Sequence, residues 1–125
     1  MLAVLCAFGL AVVCALTLVA AANARTTGCK TRACEQRVRV KWQRLTVAPY
    51  AVILDRIRAC ESGSNYRAVS RSGQYRGAYQ FDVGTWLTVG GRGDPAAATP
   101  LEQDYRAALL YKRRGAQPWP VCGYR

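Results

Sequence analysis

Between Leu2 and Ala22 the chain carries no charged residue. The run is Leu, Val and Ala with Cys6 and Cys14 embedded, and it ends in Ala22-Asn23-Ala24 directly before Arg25. A stretch this apolar and this long has two readings. It is a cleaved export signal, which the small-x-small ending suits, or an uncleaved membrane anchor. No Lys or Arg precedes it, which departs from the usual signal. The basic residues that follow it would oppose outward passage of an anchor, so residues 1–24 are read as a signal peptide with the anchor as alternative. About a hundred residues remain, enough for one modest domain, expected outside the cytoplasm.

That compartment decides how the other cysteines are read. Cys29, Cys34, Cys60 and Cys122 are an even set in a small exported chain, which suggests two disulfides with three possible connectivities. Zinc is the rival, but the spacing fits no finger or ribbon and the chain has no histidine. The same lack removes Ser-His-Asp and Cys-His nucleophilic sites and His-ligated metals. Acid–base chemistry is left to seven carboxylates, Tyr, Lys and the termini. The formal net charge of +11 favours anionic surfaces. For an exported chain these are a cell wall or membrane face, not nucleic acid; the membrane is otherwise met only through residues 1–24, if uncleaved.

Residues 25–47 form a basic arm of ambiguous structure. Val38, Val40 and Trp42 alternate with Arg37, Arg39 and Lys41 as in a strand, whereas Cys34, Val38, Trp42 and Leu45 recur at helical spacing, the reading favoured here. The domain proper, residues 48–125, opens at Ala48-Pro49. Tyr50, Ile53, Leu54, Ile57 and Cys60 then mark an amphipathic helix that stops at Ser62-Gly63. Ala78-Tyr79-Gln80-Phe81 reads as a short strand within a Gly/Ser/Asn/Tyr-rich stretch. A short helix is expected from an Asp82 cap to Val89, closed by Gly90-Gly91. A longer one has Thr99, Pro100 and Glu102 as cap, first-turn proline and capping-box acid, with Leu101, Tyr105, Ala108, Leu109 and Lys112 following and Gly115 as stop. Three helices around a small strand-and-loop region make an α+β domain. No GxGxxG fingerprint or P-loop is present.

Arg-Ala-Cys-Glu occurs twice, ending at Glu35 and at Glu61. Glu35 lies among Arg32, Arg37 and Arg39, whose charges keep a carboxylate ionised. Glu61 continues the Leu54–Ile57 face of its helix and lies at the helix C-terminus, where partial burial and the macrodipole both disfavour the anion. Those are the conditions for a carboxylic acid that stays protonated and donates to a leaving oxygen.

Five segments recur together: CESGSNY at Cys60–Tyr66, GAYQF at Gly77–Phe81, Thr85-Trp86, GRGDPAAAT at Gly91–Thr99 and PWPVC at Pro118–Cys122. In this order they resemble the transglycosylase-like domain of resuscitation-promoting factors, a lysozyme-like family that cuts peptidoglycan glycan strands. The resemblance implies a secreted, wall-associated enzyme without cofactor or metal, and Glu61 as its catalytic acid. It implies a Cys60–Cys122 bridge, which leaves Cys29 and Cys34 to close a loop outside the family domain. Gln80, Thr85 and Trp86 fall where the family lines its groove, and Asn65 and Tyr66 follow the acid. Tyr75 and Tyr79 are divided between groove and core, and Trp86 is expected to be mainly core. The family usually has Gly at Ser64, Trp at Tyr66 and Gly-Leu at Ala78-Tyr79, and Arg76 adds a charge beside the expected groove. With one acid, the resemblance implies that the sugar's own 2-acetamido group assists. A glycan-binding or signalling module on the same fold, with a weak catalytic site, is the alternative. A cationic membrane-active protein acting through Lys30–Arg44 is a further one.

Overall fold

Leu54 and Ile57 are fully buried, three residues apart on one helix, and the chain folds back onto them. The structure, a computed structural model, describes residues 28–125. The segment read as signal or anchor lies outside the described residues. The chain divides into two units, Met1–Arg39 and Val40–Arg125.

The described part of the first unit carries the Cys29–Cys34 disulfide, with Cys29 buried. Helix α1, Arg32–Val47, begins there; the arm is thus helical, as the Cys34/Val38/Trp42/Leu45 spacing suggests. In the second unit a single 3₁₀ turn, Ala48–Tyr50, leads into α2, Ala51–Ser62. Helix α3 is Val83–Thr88 and α4 is Pro100–Arg114, with 3₁₀ turns at Pro95–Ala97 and Cys122–Tyr124. Helix α2 packs against both α4 and the C-terminal 3₁₀ turn.

The expected α+β class does not hold: the described residues contain helices and turns but no strand. Residues 78–81 are the correction. Gly77 and Gln80 take positive φ values of 77° and 49°, so the chain reverses where a strand would have to extend. Arg76 and Phe81 exchange both backbone hydrogen bonds at 2.9 Å across that turn. Only isolated bridges result, Val69 with Arg76 and Arg76 with Phe81.

The helix caps follow local chemistry. Asp82 accepts from the Thr85 amide at 2.9 Å to start α3, and Thr99 accepts from the Glu102 amide at 3.2 Å to start α4. The capping box is only half made, because the Glu102 carboxylate binds Arg106 at 2.5 Å and accepts from Gln43 instead. The inner face of α4 also differs from the expected register. Gln103, Ala107, Ala108 and Leu110 are buried, whereas Lys112 is exposed.

Tyr79, Phe81, Trp86 and Trp119 form the aromatic centre of the core. Phe81 meets Trp86 edge-on at 5.2 Å and Trp119 at 6.4 Å. Such pairs contribute about 0.5–1.5 kcal/mol each beyond area burial. The indole N–H of Trp119 donates to the Tyr79 carbonyl at 2.9 Å, and the Cys60–Cys122 disulfide holds the following turn to α2. The C-terminal segment is thereby fixed beside the end of α2.

Candidate active site

Glu61 is the penultimate residue of α2. The helix ends there because Gly63 adopts the left-handed conformation (φ 64°), its amide returning to the Ala59 carbonyl. Ser64 is also left-handed (φ 62°), with its amide on the Arg58 carbonyl at 2.9 Å. A backbone conformation that favours glycine is thus filled by serine.

Two adjoining cavities, of about 380 and 360 Å³, share Tyr75, Gln80, Pro118, Trp119 and Pro120 as walls and so form one open groove. Glu61, Val121 and Cys122 complete the first cavity. Asp82, Thr85, Arg114 and Gln117 are among the residues completing the second. The Pro118-Trp119-Pro120 wall lines both cavities together with Tyr75 and Gln80, and is held by the indole hydrogen bond of Trp119 and by the disulfide.

Among the described residues no hydrogen bond or ion pair engages the Glu61 carboxyl, which is half-buried. Burial raises its pKa above the ordinary glutamate value. The α2 C-terminus acts in the same direction, since the unsatisfied carbonyls there disfavour an anion. Asp82 is the contrasting acid. Hydrogen bonding from Thr85 holds its carboxyl below the usual aspartate value, so it is an ionised cap and a poor proton donor.

Of the residues expected at a site, Glu61, Tyr75, Gln80 and Thr85 come together in the groove. Tyr79 also lines the second cavity, whereas Asn65, Tyr66 and Trp86 line neither. Asn65 is exposed and accepts from the Arg67 amide at 2.9 Å, which makes it a turn residue. Trp86 is fully buried in the core. The Tyr66 and Tyr79 hydroxyls both donate to one oxygen of Asp104, at 2.8 and 2.6 Å. Tyr79 has no exposed surface, so only its packing supports the groove floor. Burial, then the Asp104 carboxylate, pushes the Tyr66 hydroxyl up to about 12 and Tyr79 still higher. Arg76 pairs with Asp94 at 2.6 Å and donates to the Gly73 carbonyl, and it lines neither cavity.

Sequence reasoning missed that Arg114 and Gln117 line the groove, and that the Gln103–Asp104 pair holds the turn region. Gln103 is fully buried, accepts from the Ala78 amide and donates to the carbonyls of Tyr66 and Ala98. Its signal was its spacing to Ala107 and Leu110, four and seven residues on along the inner face of α4.

Glu61 is thus a half-buried carboxyl, without a partner among the described residues, in an open groove whose wall is tied to its helix by a disulfide. Residues 48–122 match the model of the transglycosylase-like domain, and the chain belongs to that family. Among the curated proteins similar to it are the resuscitation-promoting factors RpfE and RpfC of Mycobacterium tuberculosis and Rpf of Micrococcus luteus. RpfE is 41% identical over 76 residues, 61% of this chain and 44% of the relative. RpfC is 41% identical over 69 residues, 55% and 49%, and the Micrococcus protein 37% over 71 residues, 57% and 31%. The chain thus spans less than half the length of these relatives.

Proposed function

We propose that this protein cleaves the glycan strands of bacterial peptidoglycan at the β-1,4 bond between N-acetylmuramic acid and N-acetylglucosamine, with Glu61 as general acid. The observation that carries the reading is the Glu61 carboxyl itself: half-buried, raised in pKa, free of partners among the described residues, and facing an open groove. A carboxylic acid kept protonated donates to the glycosidic oxygen as the bond breaks.

Two-carboxylate glycosidases need a second acid about 5 Å or 6.5–9.5 Å away. Glu61 is the sole acid lining its cavity among the described residues, and Asp82 in the adjoining one is committed to the α3 cap. Stabilisation of the oxocarbenium-like centre then falls to the substrate's own 2-acetamido group. Glu61, once deprotonated, serves as base towards the muramic 6-hydroxyl, giving an anhydro product, or towards water. Gln80, Thr85 and Tyr75 are proposed to position the sugars, together with the Pro118–Pro120 wall. The disulfides and the apolar start of the chain support action outside the cytoplasm, and the net charge of +11 supports retention on an anionic wall.

The test is muropeptide release from purified peptidoglycan, read by mass spectrometry for wild type and Glu61→Gln. Soluble muropeptides are expected from wild type, with the variant slowed about 10²–10⁴-fold. A folded, disulfide-bonded wild type that releases none overturns the enzymatic reading and leaves a glycan-binding module. Equal release by the variant removes Glu61 from the mechanism.

A further inference from the structure

Arg114, the last residue of α4, is the single basic residue among the described residues that line either cavity of the groove. The neighbouring cations are committed elsewhere: Arg113 donates to the Thr88 carbonyl at 2.9 Å, and Arg76 pairs with Asp94. Arg114 itself has no hydrogen bond or ion pair among the described residues. Asp82, the one carboxylate lining the same cavity, accepts from the Thr85 amide and makes no ion pair with it. The negative end of the α4 macrodipole favours a cation at this position, but it engages none of the guanidinium's donors, which stay available to a ligand.

A neutral sugar offers a guanidinium only hydroxyl and amide oxygens. A carboxylate takes two parallel N–H donors from it in a charge-assisted pair. The cavity of Arg114 shares five lining residues with the cavity of Glu61, so acid and arginine line one continuous groove along which a glycan strand can extend. In peptidoglycan the substituent that carries carboxylates is the lactyl-peptide arm of the muramic acid residue. We infer that Arg114 is a specificity-determining residue that binds a carboxylate of this arm, so that the groove selects acidic stems over amidated ones. This rests on the glycan-cleaving reading and adds which substituent is recognised.

The experiment uses two disaccharide-peptide fragments of identical glycan, one with free stem carboxylates and one with each converted to the primary amide. Both are titrated calorimetrically into the Glu61→Gln and Glu61→Ala proteins, with and without Arg114→Gln or Arg114→Lys. The acidic fragment is expected to bind about three- to tenfold tighter than the amide, as befits one partly exposed charge pair. That ratio falls to about one with Arg114→Gln, is only partly kept with Arg114→Lys, which retains the charge but not the paired donors, and shrinks in high salt. A ratio of one in the parent proteins, or a ratio that Arg114→Gln leaves intact, overturns the inference. The two readings fail separately. Wild type that cleaves peptidoglycan while the fragments bind equally retains the enzyme and loses Arg114 as the selector. Fragments that bind as expected to a protein that cleaves nothing do the reverse.

Discussion

Gly77 has no side chain because the Gln103 side chain occupies the place one would take: a Cβ built on Gly77 would stand 2.3 Å from Gln103 Oε1. The same oxygen accepts from the Ala78 amide at 2.9 Å, so it cannot give way without losing a buried bond. Gly77 also has φ 77°, where a side chain is strained. Gly77→Ala should therefore cost about 2–4 kcal/mol through steric overlap and backbone strain together. In thermal unfolding followed by circular dichroism, the midpoint should fall by about 10–20 °C. A midpoint within 2–3 °C of wild type would mean that the turn does not depend on this contact.

Ser64 is the converse case. Its φ of 62° is a left-handed conformation next to Gly63, and an ideal backbone there prefers glycine. Ser64→Gly should relieve about 1 kcal/mol of strain, less the few tenths lost to greater freedom in the unfolded chain. The expected result is a small rise in the urea midpoint with unchanged slope. A fall would show that the serine hydroxyl contributes more than its backbone costs.

The raised Glu61 pKa carries a sign that can be checked. A folded state that prefers the protonated acid has its full contribution below the unfolded value near 4.5, and loses it as pH rises through the folded pKa. Glu61→Gln removes the ionisation, so the variant should match wild type near pH 4 and become the more stable of the two towards pH 7. The gain should stay below about 1 kcal/mol, because the carboxyl is partly open to solvent. Denaturation at the two pH values measures it. A variant less stable at pH 7 would indicate that the ionised carboxylate has a partner in the folded state.

The Cys60–Cys122 bridge closes a span of 62 residues and fixes the groove wall to α2, the helix that carries Glu61. Replacing both cysteines by serine should cost about 4 kcal/mol on the chain-entropy argument. Muralytic activity should fall further than stability accounts for when measured well below the unfolding midpoint, because the Pro118–Pro120 wall loses its attachment. Activity that follows the folded fraction alone would limit the bridge to a stabilising role.

Local chemistry was legible wherever a residue acts on its immediate neighbours. Asp82 and Thr99 cap the helices their spacing announced, Gly63 and Gly115 end theirs, and the arm is helical at the period of Cys34, Val38, Trp42 and Leu45. Residues 78–81 misled because Ala-Tyr-Gln-Phe has strand composition, while the positive φ of Gln80 is imposed by hydrogen bonds to Gly77 and by burial of the neighbouring Tyr79. Tyr66 and Tyr79 resemble sugar-binding residues in a string of letters; packing left Tyr79 no exposed surface and committed both hydroxyls to Asp104, while Trp86 is buried in the core.

By itself the sequence determined the short-range elements, and through the order of its motifs the family and the acid to suspect. Both depend on contacts a few residues apart or on residue identity alone. Tertiary structure decided which groups face the groove and which serve the core. It committed Arg76 to Asp94, left Arg114 facing the groove, buried Gln103 beneath the turn, and set the Pro118–Pro120 wall beside Glu61. Each of these depends on partners distant in sequence, and neither spacing nor propensity encodes which buried polar group will find which partner until the chain has closed around them.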